Sequence, residues 1–265
     1  MPHSPLDEAF GAFGEMSADP RADAAPGADR MPLIANGQAR PDLRREERTG
    51  APEVIYASGK DSAQIVALTE AFVERTGRAI ISRIREDDAQ AVLERFADHE
   101  TAYHRRAAML VVRKQSLTRP VGGNVGIVTA GTSDLPVAEQ VKVIAEEMGC
   151  RVSLVSDVGV AGLHRLFGPL RAMLDGGVDV IVVCAGMDGA LPSVVSGLVD
   201  LPVIGVPTST GYGVGGNGVA ALLSMLQTCA PGLAVVNVDN GVGAGVTAAL
   251  IANRVARARA TKALD

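Results

Sequence analysis

VDVIVVCAGMDGALPSVVSGLVDLPVIGVP, residues Val178 to Pro207, decides the fold. Val178 to Cys184 is a short apolar, β-branched run, the pattern of a strand buried on both faces. Ala185 and Gly186 turn the chain, Asp188 is polar, and a helix of small residues is expected from Ala190 to Val199. Leu201 to Val206 is a second apolar run, stopped by Pro207. Strand, helix and strand in this order form the unit of a parallel sheet. Open parallel sheets bind ligands beyond the carboxyl ends of their strands, where Gly186, Met187 and Asp188 fall.

The same alternation extends in both directions from this unit. Strands are predicted at Val125–Ala130, Arg151–Val155, Val178–Cys184, Leu201–Val206 and Leu233–Val238. Helices fill the gaps at Pro136–Met148, Gly162–Leu174, Ala190–Val199, Val219–Gln227 and Val246–Ala258. The expected fold class is α/β: a doubly wound parallel sheet, flavodoxin- or Rossmann-like, in a three-layer sandwich with right-handed crossovers. Alternation leaves the strand order open.

Upstream, residues 42–113 read as a small α/β domain. Strands are predicted at Glu53–Ala57, Ala79–Ile84 and Ala107–Val112, with helices at Asp61–Thr76 and Glu86–Ala97. About seventy residues is small for independent stability, so this domain is expected to dock on the rest. RKQSLTRPVGG marks a polar linker over residues 114–123, and the second domain runs from 124 to 260. Residues 1–41, rich in Ala, Pro, Gly and Asp without apolar period, are expected to be a disordered tail.

Composition narrows the function. Of 265 residues 47% are hydrophobic and none is Trp, so the core is expected to be aliphatic. Thirty glycines exceed the usual share of about 7% and cluster after predicted strands, which suggests close approach of backbone to a ligand or a subunit. A net charge of −5 without a basic stripe argues against nucleic acid. No apolar run nears the ~18 residues that span a membrane, and no signal-peptide pattern opens the chain. Three cysteines without CxxC or Cys/His spacing fit a reducing cytoplasm and give no zinc signature.

The polar residues that follow each strand are the site candidates. TAGTSDLP carries Thr129, Gly131, Ser133 and Asp134 just before a helix, either an anion site or a plain N-cap. SDVGVAGLHRL carries Asp157 and His164, the latter on a helix beside leucines, where a structural role competes with function. AGMDGALP carries Gly186, Met187 and Asp188; an acid partly desolvated there would be a base near neutral pH. PTSTGYGVGGNG, with Thr208, Ser209 and Tyr212, lacks the Lys of a P-loop and reads as a lid or a turn. NVDNGVGAG brings Asn237 and Asp239 before a glycine loop that opens the last helix. Cys229, in QTCAPG, is a loop cysteine at a sheet edge, a nucleophile candidate or a small packing residue; Cys150 and Cys184 lie in apolar settings and read as inert. Convergence of several such loops at one sheet edge raises the site hypothesis above any single motif.

GNVGIVTAGTSDLPVAEQ, SDVGVAGLHRL, AGMDGALPSVVSGLVDLPVIGVPTSTGYG, CAPG and VNVDNGVGAG, with REERTG and PEVIYASGK upstream, together resemble the LarB family. These are carboxylase/hydrolases that begin biosynthesis of the nickel-pincer nucleotide cofactor, and the resemblance runs from about Leu43 to Ala252. The C-terminal half is similar to the purine-biosynthesis carboxylase PurE, whose AGxAAHLPG loop maps on Ala185 to Ser193; Ala190 stands where PurE has its histidine. That departure favours LarB over aminoimidazole ribonucleotide chemistry.

The resemblance implies nicotinic acid adenine dinucleotide and CO2 as substrates, with AMP and a carboxylated mononucleotide as products. It implies Cys229 as nucleophile and Asp188 as base, at a place where relatives commonly carry Glu. Thr129, Gly131, Ser133 and Asp134 would line the nucleotide or CO2 pocket, with His164, Ser209 and Tyr212 at its sides. It further implies a homo-octamer with active sites between subunits, a cytoplasmic setting, no tightly bound cofactor, and Mg2+ as an optional helper of the hydrolytic step. The alternatives are a PurE-like carboxylase or mutase and a non-catalytic nucleotide-binding protein.

Overall fold

The computed structural model describes Ile34, residues 39–114 and residues 122–262. The expected tail over 1–41 and linker over 114–123 therefore lie largely outside the described residues. The chain divides into two compact units, Met1–Asp42 and Leu43–Asp265. An isolated antiparallel bridge from Ile34 to Ala39 is the described feature of the first.

In the second unit a four-stranded sheet has the order β1-β2-β4-β3, from β1 (Val54–Tyr56), β2 (Arg78–Ser82), β3 (Glu100–His104) and β4 (Met109–Arg113). β1 runs parallel to β2, and β4 antiparallel to both β2 and β3. Helix α1 (Arg45–Thr49) precedes it, while α2 (Ser62–Thr76) and α3 (Glu86–Arg95) connect its strands. Asp61 caps α2 by accepting the Gln64 N–H at 2.8 Å, and Gly77, at φ 81°, ends it in the left-handed conformation that glycine adopts without penalty. β3 is a strand beyond the three expected in this domain. Its sequence, ETAYH, has no apolar run because it is an edge strand with no fully buried residue.

The larger sheet is parallel, with five strands in the order β6-β5-β7-β8-β9. They are β5 (Asn124–Thr129), β6 (Arg151–Val155), β7 (Val180–Ala185), β8 (Val203–Pro207) and β9 (Leu233–Val235). Intervening helices are α4 (Leu135–Glu147), α5 (His164–Asp175), α6 (Leu191–Ser196) and α7 (Val219–Leu226), and α8 (Gly241–Lys262) closes the chain. This is the flavodoxin-like doubly wound order, whose switch point lies between β5 and β7. Val137, Ala138 and Val141 of α4 and Ala244, Ala248 and Ala249 of α8 pack on one face. Leu166 and Leu170 of α5, Leu191 and Val195 of α6, and Met225 of α7 pack on the other.

α4 is buried nearly all round because it serves two sheets. Its Val143 and Ile144 join Ile80, Met109 and Val111 of the smaller sheet, with Val242 and Val246 of α8 alongside. Buried charge reinforces this docking. Arg78, 5% exposed, bonds Glu147 at the end of α4 at 3.2 Å and Glu46 of α1 at 2.5 Å. Arg113 also bonds Glu147, at 3.1 Å, and reaches Glu100 at 2.7 Å.

Several boundaries shift by a few residues from expectation, and two of the shifts have a clear physical reason. β9 ends at Val235 rather than Val238, because the Asp239 N–H turns to the Pro207 carbonyl at 2.9 Å and Asn237 accepts the Val238 N–H at 2.9 Å. The last helix begins at Gly241 rather than Val246, so the expected glycine loop is its first turns. Those glycines let α8 approach α4: a Cβ on Gly241 would lie 2.5 Å from the Val137 carbonyl oxygen, and one on Gly245 2.8 Å from the Ile144 Cβ. Gly→Ala in a helix ordinarily stabilises, by about 1 kcal/mol. Gly245→Ala is expected to reverse that sign and destabilise by about 1–3 kcal/mol through overpacking; urea unfolding that shows a gain would contradict the close approach.

Candidate functional site

A parallel sheet delivers its polar loops to the carboxyl edge, and five of them bond to one another there. Thr129 ends β5 buried, with its hydroxyl donating to the Gly131 carbonyl at 2.8 Å and accepting the Asp157 N–H at 3.3 Å. Asp134, 2% exposed, accepts the Gly131 N–H on Oδ2 at 2.8 Å and the Thr208 hydroxyl on Oδ1 at 2.6 Å. The Thr210 hydroxyl donates to the Ser133 carbonyl at 3.3 Å, and the Met187 N–H to the Thr210 carbonyl at 2.8 Å. Gly186 is the point of closest approach: a Cβ there would lie 2.3 Å from the Thr210 carbonyl oxygen. Ser209 donates its N–H to Asp239 Oδ1 at 2.8 Å. Three non-glycine residues here, Asp157, Met187 and Asp239, hold left-handed backbone at φ 61°, 54° and 54°. Such strain clusters where a loop is shaped for a ligand.

Thr129, Gly131, Ser133, Asp134, Asp157, Gly186, Met187, Ser209 and Asp239 are thus brought together, with Thr208 and Thr210 as ties between their loops. Thr210 is not among the candidates from sequence, although a hydroxyl close behind a buried strand is a signal that could have found it. Asp188 follows Met187 but is exposed, so its own chain does not supply the desolvation expected of it. His164 opens α5, exposed, Tyr212 is 82% exposed, and Asn237 bonds its own neighbour. Asp157 is held by Arg165 at 2.7 Å.

Cys229 is not in this cluster. It lies between α7 and β9, after a helix and before a strand, which is the amino edge. The Val203 N–H at the start of β8 bonds the Gly232 carbonyl at 3.1 Å, and Ser196 bonds the Pro231 carbonyl at 3.1 Å. The length of β8, at ~3.3 Å per residue, separates the edges by about 13 Å or more. One chain therefore does not bring Cys229 to Asp188. Cys229 is exposed, while Cys150 and Cys184 are buried. Burial pushes the Cys150 thiol up to about 11 and the Cys184 thiol higher still. Among the described residues no group of three or more His, Cys, Asp or Glu side chains is placed to hold a metal ion such as Mg2+.

Asp134 carries the strained electrostatics of the cluster. Burial raises its pKa above the ordinary carboxylate value, opposed by hydrogen bonds from Thr208, Gly131, Gly186 and Thr210. An acid whose folded pKa exceeds its unfolded one binds its proton more tightly when folded. The stability this contributes is lost as pH rises from the unfolded value through the folded one. The unfolding free energy of the wild type minus that of Asp134→Asn should fall as pH rises from about 4, then level off. Urea melts in which that difference rises with pH would contradict the assignment.

Comparison with known proteins fits this geometry. Residues 124–264 match the family model described as AIR carboxylase, and residues 34–115 the one described as LarB/PurE-like N-terminal domain. An uncharacterized protein of Methanocaldococcus jannaschii is 45% identical over 220 residues, covering 80% of this chain and 82% of that one. The N5-carboxyaminoimidazole ribonucleotide mutase of Thermotoga maritima is 35% identical over 130 residues, 48% of this chain and 73% of that one. The crystal structure of a variant of Treponema denticola PurE2 overlays 56% of this chain and 95% of that one at 20% identity, with a TM-score of 0.37 too low to add to the assignment. The doubly wound sheet falls within residues 124–264 and the smaller α/β domain within residues 34–115, and the chain belongs to the LarB family, with a PurE-like C-terminal domain of the carboxylase/mutase type.

Proposed function

We propose that the chain is a LarB-type carboxylase/hydrolase, which adds CO2 to C5 of the pyridinium ring of nicotinic acid adenine dinucleotide and cleaves its phosphoanhydride to release AMP. That is the first step of nickel-pincer nucleotide cofactor synthesis. The observation that carries the reading is Cys229: of three cysteines it alone is exposed, and it stands in the CAPG motif that resembles the family's nucleophile.

The chemistry explains why a thiolate is wanted. A pyridinium ring is electron-poor and does not attack CO2. Addition of the Cys229 sulfur to C4 breaks aromaticity and makes an enamine whose β-carbon is C5. C5 then attacks CO2, Asp188 takes the C5 proton, and the C4–S bond breaks as aromaticity returns. One hard step becomes several easier ones, with the thiolate regenerated. Asp188, one methylene shorter than the Glu common in relatives, would act from a closer loop or through a water.

Because Cys229 and Asp188 lie at opposite sheet edges, the active site on this reading joins Cys229 of one copy to the carboxyl-edge loops of another. Two features support such assembly. α7 leaves Val219, Leu223 and Leu226 exposed at helical spacing on the way to Cys229, and Tyr212 and Val214 are bare in the preceding loop. A homo-octamer is the assembly proposed. A cleft of about 560 Å³ lined by Leu135, Glu139, Lys142, Leu154 and Ser156 adjoins the Asp134 and Asp157 loops and has the size of a nucleotide subsite.

The PurE-like mutase reading has the Thermotoga relative behind it, but Ala190 leaves it without the PurE histidine. Incubation with nicotinic acid adenine dinucleotide and CO2 should yield AMP and carboxylated mononucleotide by mass spectrometry; no product from the wild type would reject the reading. Cys229→Ala should lose at least about a thousandfold in carboxylation. Mixing Cys229→Ala with Asp188→Asn, each inactive alone, should restore a measurable fraction by forming sites with both groups intact. Absence of any restoration after subunit exchange would rule out the shared site.

A further inference from the structure

The two halves of the proposed reaction ask opposite things of water. Carboxylation at C5 wants water shut away from the ring, whereas release of AMP consumes a water at phosphorus. Cys229 and Asp188 serve the first half. The second needs a group that activates water, in a place that water can reach.

The cleft beside the Asp134 and Asp157 loops has such a group, and the smaller sheet supplies it. The turn between β3 and β4 is laid on α4: Gln140 donates to the Ala107 carbonyl at 3.1 Å, and Arg106 pairs with Glu139 at 2.9 Å. Ala108 in that turn holds φ 49°, and its carbonyl accepts the Ile84 N–H at 3.0 Å. His104, opposite Met109 in the hairpin, is thereby set in the wall of the cleft of about 560 Å³, which Lys142 of α4 and Ser156 after β6 also line. His104, Lys142 and Ser156 are half-buried and Arg106 is exposed, so solvent enters. Leu135, which follows Asp134, lines the same cleft, and from it to Lys142 the helix rises about 10 Å at ~1.5 Å per residue. A dinucleotide with its ring over the carboxyl-edge loops has the length to lay its diphosphate along that wall.

The charges suit hydrolysis. Burial lowers the pKa of His104, and Arg113 and Lys142 lower it further, against the opposing pull of Glu146 and Glu139. The imidazole is therefore neutral near pH 7 and free to accept a proton. Arg106 is engaged by Glu139, but Lys142 meets Glu146 only at 3.8 Å, the outer limit of an ion pair, which leaves its ammonium to a phosphate. We propose that this cleft is the hydrolytic centre of the enzyme, with His104 as the general base and Lys142 as the cation that steadies the diphosphate. His104 takes a proton from water, and the water oxygen bonds one phosphorus of the diphosphate. The bond from that phosphorus to the bridging oxygen breaks, its electron pair leaving with the other phosphate, and the imidazolium returns its proton to solvent. This rests on the dinucleotide reading above.

Mass spectrometry of full-chain reactions with nicotinic acid adenine dinucleotide and CO2 separates the halves, because a carboxylated dinucleotide carries only the first change. His104→Gln should slow AMP release by about a hundredfold or more and let carboxylated dinucleotide accumulate. Lys142→Gln should slow AMP release by about tenfold, with carboxylation again retained. In the wild type AMP release should rise with pH to a plateau, through an inflection below the ordinary imidazole value of about 6.5, and His104→Gln should abolish that inflection. AMP release unchanged in His104→Gln would overturn the proposal, and so would equal loss of carboxylation and AMP release. A wild type that releases AMP through His104 yet never carboxylates would sink the carboxylase reading and leave the hydrolytic centre standing. Carboxylation with AMP release indifferent to His104 would do the reverse.

Discussion

The close approach of α4 and α8 is the constraint on which the rest of the structure depends. The pair is at once a face of the parallel sheet and the surface on which the smaller sheet docks. Glycines at 241 and 245 and alanines at 244, 248, 249 and 252 make that possible, because backbone and small side chains leave room for a layer shared by two sheets. The same two helices begin at the carboxyl edge. Asp134 immediately precedes α4 and Asp239 lies two residues before α8, so the packing that joins the domains also fixes two of the site's acids. Arg83 reaches Asp239 only because the smaller sheet is seated on that layer.

Much of this was legible in the sequence, and the parts that were not have physical reasons. β7, α6 and β8 follow from an apolar run, a small-residue helix and a second apolar run, since a strand buried on both faces has no alternation to obscure it. β3 was not legible because an edge strand needs no apolar run, and its charges bond across the sheet instead. The GVGAG stretch reads as a loop because glycine is a poor helix former, and only the proximity of α4 explains its helical state. The limits of β9 depend on where Asp239 turns toward Pro207, a tertiary contact that no local pattern encodes.

The site was legible in its loops and not in its assembly. Each polar residue after a strand is placed by the alternation itself, which is why Thr129, Asp134, Gly186 and Ser209 converge as the sequence suggests. The same rule, applied to Cys229, puts a residue that follows a helix and precedes a strand at the other edge. Desolvation is the second point on which a single chain falls short. It was expected at Asp188, and it falls instead on Asp134, because the Thr208 and Gly131 donors are there to make a buried carboxylate tolerable.

On the shared-site reading these two shortfalls have one origin. A cysteine becomes a nucleophile when its surroundings favour the thiolate, and a carboxylate becomes a base near neutral pH when burial favours its protonated form. Cys229 and Asp188 are both exposed and lie at opposite edges of their own chain, so neither has the other beside it there. Contact between the amino edge of one copy and the carboxyl edge of another would bury both together. It would also cover the bare leucines of α7 and shut bulk water away from the ring. On that reading the sulfur and the base, held at opposite edges of one chain, form a complete site when the edges of two copies meet.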